Sequence, residues 1–329
     1  MATVESGMLN INLRGEEANE LILKPVFFDE GLEELFDTMV MVNKEQKIGY
    51  VGTLENILKS KDGCGFNPDG SFGISQRTIS TKLVSAELEL CFDEYKDTIY
   101  KQLLKKGTAI TDVSGTVFAN LLTLRMQQAM KKDIIRTAFF GDKTDTDAKN
   151  NYADGMWSVY LPALVADNVI PYINGGSGTP LTAGEGIELL QQVYDNATNF
   201  LKATPESEKC LYVSANVYLQ YMADLENAGV SSTSHFARIQ DGAMALKFRG
   251  IEVKPMWEWQ AYANQYLGLA DANLVLYTTK QNFVLGTDIL NPANQMKMWY
   301  DDVEEKFFVK SAFYLGFNFK NEEFLTVAY

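Results

Sequence analysis

The stretch between residues 47 and 82 constrains the fold most, because it combines turn signals with very few large apolar side chains. Six glycines are spread along it: Gly49, Gly52, Gly63, Gly65, Gly70 and Gly73. The run Asn67-Pro68-Asp69-Gly70 favours a hairpin turn. An isolated two-stranded ribbon of this composition is unstable in water. We therefore predict a long β-hairpin that rests on a surface outside itself.

The longest helical pattern covers residues 115–140 and predicts an elongated body. Apolar residues recur four positions apart along it: Phe118, Leu122, Met126, Met130, Ile134 and Ala138. A helix of about 25 residues is about 37 Å long, which exceeds what a compact domain of this size needs. The periodicity alone fits a long core helix of a globular enzyme equally well.

The second half of the chain alternates helical and strand patterns, so an α+β fold is predicted. A capping box at Thr182 and Glu185 opens one helix, and residues 244–253 have the pattern of a hairpin. The polar run 174–179 is predicted to be a flexible linker. The strongest strand signal is C-terminal, where apolar residues occupy every second position except Ser311: Phe307, Val309, Phe313, Leu315, Phe317 and Phe319.

Residues 1–43 are predicted to form an extended arm followed by a short helix. Up to about Pro25 no long hydrophobic period is present. Over residues 30–42, Leu32, Leu35, Phe36 and Met39 recur at helical spacing. An amphipathic helix is expected there.

Composition and charge exclude several function classes. The chain has 29 Lys and Arg against 43 Asp and Glu, a net charge of -14, which opposes nucleic-acid binding through phosphate neutralisation. The single histidine, His235, cannot build a multi-histidine metal site, and it lies in a polar run typical of a solvated loop. Cys64, Cys91 and Cys210 are too far apart for a CxxC motif and fit a reduced cytosol.

No catalytic, cofactor-binding or metal-binding residues are predicted. The run Asp145-Thr146-Asp147 has Lys149 at the third ligand position of a calcium loop and lacks the glycine and distal glutamate that such a loop needs. No membrane span is expected either, because the 115–140 pattern carries several charges.

An acidic carbohydrate-active enzyme is one alternative. It would use two carboxylates, with Trp257, Trp259 and Trp299 as a platform on which sugars stack. Aromatic residues beside a strand end more often pack a domain or an interface.

A set of short motifs in the second half carries a family resemblance. These motifs are Cys210-Leu211-Tyr212-Val213-Ser214, Arg238-Ile239-Gln240-Asp241-Gly242, Leu246-Lys247-Phe248-Arg249-Gly250-Ile251-Glu252-Val253, Asn273-Leu274-Val275-Leu276, Asn282-Phe283-Val284-Leu285-Gly286-Thr287-Asp288 and Phe313-Tyr314-Leu315-Gly316-Phe317. Together they make the chain resemble tailed-phage major capsid proteins of the Hong Kong 97 type. The branch that infects gut Bacteroidetes is the one it resembles most.

The resemblance implies a Hong Kong 97-like capsid fold divided along the chain. Residues 1–43 would be the N-terminal arm with its short helix, and 44–80 the extended loop. Residues 81–140 would be the peripheral domain with its spine helix, 141–290 the axial domain, and 291–329 the C-terminal strands returning to the shared sheet. Intersubunit contacts are expected from the loop and the arm: Gly63, Phe66, Asn67, Pro68, Asp69, Gly70, Phe72, Leu9 and Ile11.

The implied function is structural and not enzymatic. Copies of the chain would assemble into hexamers and pentamers of an icosahedral virion capsid, built in the host bacterial cytoplasm around double-stranded DNA that is enclosed without sequence-specific binding. The implied partners are other copies of the chain, a portal protein, scaffolding proteins and decoration or auxiliary capsid proteins. No cofactor and no membrane are implied. An encapsulin-type nanocompartment shell, which holds a cargo protein, is the nearest alternative.

Overall fold

The computed structural model describes residues 11–12, 35–40, 42, 44–51, 74–91, 117–227, 236–238, 244–288, 297–301, 303–304 and 306–329. The first eight strands are β1 (Ile11–Asn12), β2 (Phe36–Met39), β3 (Glu45–Val51), β4 (Ile74–Ser80), β5 (Lys82–Cys91), β6 (Tyr172–Ile173), β7 (Lys209–Ser214) and β8 (Phe236–Arg238). The others are β9 (Met244–Phe248), β10 (Ile251–Met256), β11 (Val275–Thr279), β12 (Phe283–Thr287), β13 (Lys297–Asp301), β14 (Lys306–Phe319) and β15 (Leu325–Ala328). The α-helices are α1 (Val117–Phe140), α2 (Leu161–Ala166), α3 (Glu185–Asn196), α4 (Asn199–Ala203), α5 (Ala215–Asn227) and α6 (Trp259–Tyr262). Two π-helical turns cover Met156–Tyr160 and Ala263–Leu267.

A six-stranded sheet is organised around β14, the longest strand described. β5 pairs antiparallel along one edge of β14, from Lys306 opposite Cys91 to Leu315 opposite Lys82. The other edge of β14 pairs first with β13 and then with β12. The short strands β1 and β2 extend the sheet beyond β13 and β12. The predicted C-terminal strand is confirmed, and Ser311 belongs to its buried face at 1% exposure.

The C-terminal half of α1 packs against the buried face of this sheet. Met126, Met130, Ile134 and Ala138 are all buried in one core with β14, as their four-residue spacing predicts. Aromatic side chains also pack in this core, where the ring centroids of Phe139 and Trp259 are 4.7 Å apart. The helix therefore packs on the sheet through one apolar face.

The short helix expected over residues 30–42 is wrong where the structure describes it, because residues 36–39 form β2. Phe36 is 1% exposed and lies 6.2 Å, centroid to centroid, from Phe139. Its neighbour Asp37 forms a 2.5 Å ion pair with Lys320. Pairing with the free edge of β12 satisfies the backbone and buries Phe36, so tertiary contacts override the helical spacing.

A seven-stranded sheet forms the second half of the molecule, in the order β6-β15-β11-β7-β10-β9-β8. Leu211 and Val213 of β7 face a core shared with α3 and α5, whereas Cys210 and Tyr212 face the core that contains α1. The predicted hairpin over residues 244–253 is confirmed as β9 and β10. Both faces of β7 are therefore covered by the chain itself.

Strands on either side of residue 290 contribute to both large sheets. β12 precedes this residue and joins the six-stranded sheet, while β15 follows it and joins the seven-stranded sheet. β12 pairs with an edge of β14, and β15 pairs with an edge of β11. In both cases the pairing satisfies the backbone of an apolar strand.

Residues 174–179 form a turn that is fixed by hydrogen bonds, and not the predicted flexible linker. Nδ2 of the fully buried Asn273 lies 3.1, 3.1 and 2.9 Å from the carbonyl oxygens of Gly175, Gly176 and Thr179. One side-chain amide thus satisfies carbonyl groups that the polar sequence leaves without a strand or helix partner.

Candidate functional site

The base of the hairpin is the best-defined candidate site, and we call it the hairpin root. β3 and β4 pair antiparallel from Glu45 opposite Ser80 to Val51 opposite Ile74, which confirms the predicted pairing of the ribbon's flanks. Below them lies a small core of Val42, Ile48, Ile79 and Val284. Ile79 is fully buried although it belongs to the ribbon. The ribbon therefore starts from an apolar anchor within its own subunit.

Thr81 joins the hairpin to the body. Its N–H donates to the carbonyl of Lys44 at 2.7 Å, and its hydroxyl donates to the carbonyl of Val42 at 3.1 Å. In return, the N–H of Lys44 donates to the Thr81 hydroxyl at 3.2 Å. Because β4 ends at Ser80 and β5 begins at Lys82, this one residue connects two strands that belong to different sheets.

A pair of glycines makes room for the hairpin root on the six-stranded sheet. Gly286 of β12 and Gly316 of β14 are directly opposite each other. A Cβ atom at Gly316 would lie 2.3 Å from the Ser80 carbonyl oxygen, and one at Gly286 would lie 2.8 Å from Cδ1 of Ile79. At Gly316 only glycine permits this approach to backbone, whereas at Gly286 the close neighbour is the end of the Ile79 side chain. We call this feature the paired-glycine notch.

Polar contacts hold β4 over the end of β14. The Arg77 guanidinium carbon lies 4.0 Å from the ring centroid of Phe319, and Arg77 forms an ion pair with Glu322. Nδ2 of Asn318 donates to the carbonyl of Thr78 at 2.8 Å. Burial raises the pKa of Glu322, but the hydrogen bond from Arg77, a hydrogen bond from the Glu322 backbone and the charge of Arg77 together hold that pKa below its ordinary value of 4.5.

The loop of residues 142–154 supports the hairpin root from another side. Its ends are held by two glycines, because the N–H of Gly155 donates to the carbonyl of Gly141 at 2.7 Å. Nζ of Lys143 lies 2.9 Å from Asp154 and donates to Ser80 Oγ at 3.4 Å. These contacts tie the C-terminal end of α1 to the ribbon.

Most of the predicted contact residues cannot be compared with the geometry. Leu9 and the loop residues Gly63, Phe66, Asn67, Pro68, Asp69, Gly70 and Phe72 lie outside the described residues. Ile11 is described in β1, where it pairs with Met298 of β13 in the same chain. The arm is thus aligned with a sheet edge of its own subunit at this point.

Sequence reasoning missed the residues of the hairpin root that lie far from it along the chain. No local sequence pattern marks Arg77, Asn318 or Glu322 as part of the hairpin root. Gly286 and Gly316 did carry one, because a glycine inside an otherwise apolar strand marks close backbone approach.

The tryptophans do not form a sugar platform. Trp259 is fully buried and packs edge-to-face on Trp157, with ring centroids 5.5 Å apart. Trp257 is 57% exposed, and Trp299 stacks on Phe308 with an interplanar angle of 19°. One of the three rings is therefore core, and it cannot contact a carbohydrate.

The Cys210 thiol is unreactive, and the described part of the chain contains no metal-binding cluster. Burial is the main reason that the pKa of the Cys210 thiol rises to about 12, so this cysteine is protonated at neutral pH. Residues 117–227 and the other described ranges contain no group of three or more His, Cys, Asp or Glu that could hold a metal ion. Nor does any described helix have the length and hydropathy of a membrane span.

Comparisons with known proteins point to one fold. No family model and no curated protein matches the sequence. Among solved structures, the chain is similar to one from the satellite phage P4 procapsid that includes the size determination (Sid) protein, with a TM-score of 0.55, 10% identity and coverage of 95% of this chain and 96% of that chain.

Two further structures agree. A chain from Gordonia phage Cozz has a TM-score of 0.56 at 9% identity over 89% of this chain and 84% of that chain. A chain from the capsid asymmetric unit of cyanophage Pam1 has a TM-score of 0.53 at 12% identity over 89% and 87%. At these identities the likeness concerns the fold alone. The chain therefore has a mixed helix and sheet fold that matches solved phage capsid structures.

Proposed function

We propose that the chain is a structural major capsid protein that assembles into the hexamers and pentamers of an icosahedral shell around the double-stranded DNA of a tailed bacteriophage. The observation that carries this proposal is the fold, which is shared with chains from a phage procapsid and a phage capsid over 96% and 87% of their length. The work of such a protein is assembly, so it is not an enzyme.

The hairpin root supports an intersubunit role for the ribbon above it. Its base is fixed by Ile79, Thr81 and the paired-glycine notch. The sequence of the ribbon has too few large apolar side chains to bury itself. A neighbouring copy supplies the missing burial, with contacts from Gly63, Phe66, Phe72 and the other predicted loop residues. Leu9 and Ile11 make the corresponding contacts from the arm.

The acidic charge also supports the proposal. A net charge of -14 suits a container that must not hold its genome tightly, because a strongly basic inner surface would impede DNA entry. The partners are other copies of the chain, the portal, a separate scaffolding protein and any decoration protein. The predicted arm, extended loop, peripheral domain and axial domain are the parts of such a capsid subunit.

Electron microscopy and analytical ultracentrifugation of the purified protein test the proposal. We expect closed shells or capsomers, alone or on addition of a scaffold. A protein that stays a folded monomer under all these conditions would overturn it.

Particles isolated from a phage lysate separate the virion from an encapsulin. We expect nuclease-protected DNA inside them. Particles that hold a protein cargo and no DNA would replace the virion proposal with the encapsulin alternative.

The ribbon is tested by replacing residues 63–73 with a Gly-Ser linker of equal length. The subunit should fold, because the hairpin root lies below the replaced segment, but stable shells should not form. A replacement of the exposed residues 205–208, which lie outside the hairpin root, is the control and should leave assembly intact. Normal shells from the 63–73 variant would show that the ribbon is not an intersubunit element.

A further inference from the structure

The sequence contains one Asn-Gly pair, Asn174-Gly175, and it lies in the turn of residues 174–179. An asparagine is most labile when glycine follows it, because glycine has no side chain to shield its main-chain nitrogen. Asn174 is exposed to solvent, whereas Gly175 is buried. Water can therefore reach the side-chain amide of Asn174.

Such a pair has one intramolecular reaction available to it. The nitrogen of Gly175 attacks Cγ of Asn174, the bond from Cγ to Nδ2 breaks, and ammonia leaves with the proton that Gly175 loses. The product is a cyclic imide. Water then adds to one of its two carbonyl carbons and opens the ring to aspartate or isoaspartate, so solvent is the only co-reactant.

In the folded chain both reacting groups are bonded to other partners. The N–H of Gly175 donates to a main-chain oxygen of Tyr329 at 3.0 Å, and this contact extends the parallel pairing of β6 with β15. Oδ1 of Asn174 accepts a 2.9 Å hydrogen bond from the N–H of Gly176. The attack requires the Gly175 nitrogen to give up its hydrogen, and in the fold that hydrogen is bonded to Tyr329.

Asn273 keeps the turn in this position. Its Nδ2 donates to the three turn carbonyls described above, and its N–H donates to Ser177 Oγ at 3.0 Å. A Cβ atom at Gly175 would lie 2.7 Å from the carbonyl oxygen of Asn273, so the two main chains pack closely. The reaction thus requires local opening, and a group that is hidden by local structure reacts in proportion to the open population.

The product of the reaction is unfavourable at this position. Asn174 lines a small cavity with Glu185 and Glu188 of α3, and no Lys or Arg is among the lining residues. A carboxylate at position 174 adds a third negative charge there. Isoaspartate also inserts a methylene group into the main chain beside the pairing of β6 with β15, so the turn cannot close again as before.

We propose that Asn174-Gly175 is a latent deamidation site, which the contacts with Asn273 and Tyr329 keep closed in the folded chain. The site opens when the turn or β15 comes away from its partners. Because the reaction is irreversible, each opening that leads to reaction leaves an acidic product at position 174. The proposal concerns a single chain and goes beyond the proposed function, since it requires no assembly.

Site-resolved mass spectrometry of the full chain tests the proposal. The wild type is incubated in mildly alkaline buffer, folded or in denaturing urea, and the peptide that contains position 174 is analysed for aspartate and isoaspartate. We expect deamidation at least about tenfold more slowly in the folded chain, because its hydrogen bonds must first open. Equal rates in the folded and the unfolded chain would overturn the proposal.

A pair of buried amide truncations tests the role of Asn273. Asn273→Ala should accelerate deamidation of the folded chain by about tenfold, because the turn loses its three carbonyl contacts. Asn282→Ala is the matched control, since Asn282 is also buried and its Nδ2 donates to Thr278 and Asn321 instead. It should leave the rate at position 174 close to that of the wild type.

Circular dichroism checks that each variant is folded. Ser177→Ala removes only the hydroxyl that accepts the Asn273 N–H. It should accelerate the reaction in the same direction, and it decides the test if Asn273→Ala does not fold. Equal rates in the control and in the folded turn variants would show that Asn273 does not close the site.

Discussion

Strand β7 of the seven-stranded sheet and strand β5 of the six-stranded sheet differ in how much of their surface the chain covers by itself. All six residues of β7, in the middle of its sheet, are buried. In β5, the exposed residues are Lys82, Leu83, Ser85, Glu87, Leu88 and Glu89. The chain thus covers β7 on both faces, whereas within the described residues it leaves β5 half open. A subunit can thus combine a self-sufficient core with a region whose surface is left for contacts.

We expect the largest change in the free energy of unfolding from a pair of leucine truncations, one in β7 and one in β5. Leu211→Ala removes a fully buried side chain from β7 and should lower the free energy of unfolding by about 2–5 kcal/mol. Leu88→Ala removes a side chain that is 37% exposed on β5 and should cost less than about 1 kcal/mol. Urea denaturation measures both. Equal losses would mean that β5 is as well covered as β7.

The paired-glycine notch gives the next largest effect. Gly316→Ala places a Cβ atom against the backbone of Ser80 and should destabilise the subunit by about 1–3 kcal/mol. Gly49→Ala is the control, because a Cβ atom there has nothing within 4 Å. Both positions lie in strands, so they share the same change in backbone entropy. A smaller loss at Gly316 than at Gly49 would contradict the close approach.

The Arg77–Glu322 pair gives the smallest effect, and it depends on pH. Arg77 lowers the pKa of folded Glu322, so its stabilisation is present above the unfolded pKa, near 4.5, and is lost as pH falls through the folded pKa. At pH 7 the free energy of unfolding of the wild type should exceed that of Glu322→Gln by less than about 1 kcal/mol, because the ion pair is partly exposed and screened by solvent.

Thermal unfolding across pH 3–7 measures this difference. It should decrease toward the acidic end, and at pH 7 it should become smaller in about 1 M salt. A difference that grows as pH falls would contradict the assigned sign.

Much of the fold could be predicted from local patterns. The alternation along residues 307–319 and the four-residue spacing from Met126 to Ala138 were reliable, because each reflects burial on one face of one element. Residues 36–39 were not, because their spacing suits a helix while the open edge of β12 and the pocket around Phe36 decide the outcome. Local patterns contain no information about such distant partners.

The candidate site was only partly accessible for the same reason. The ribbon's pairing followed from its glycines and its turn residues. The hairpin root did not, since Arg77 meets Glu322 and Thr78 meets Asn318 across most of the chain's length. The exposure of Trp257 was equally hidden, because the neighbouring Trp259 has the same chemistry and is fully buried.

The direct passage from β4 through Thr81 into β5 has a mechanical consequence. A pull on the ribbon along its length is carried into β5, whose pairing with β14 runs from Lys82 to Cys91. Hydrogen bonds of an antiparallel pair lie perpendicular to the strands, so a load along β5 shears the ladder as a whole, whereas a load across β5 opens it one bond at a time. The joint resists the first load far better than the second, which makes the direction of an applied force as important as its size.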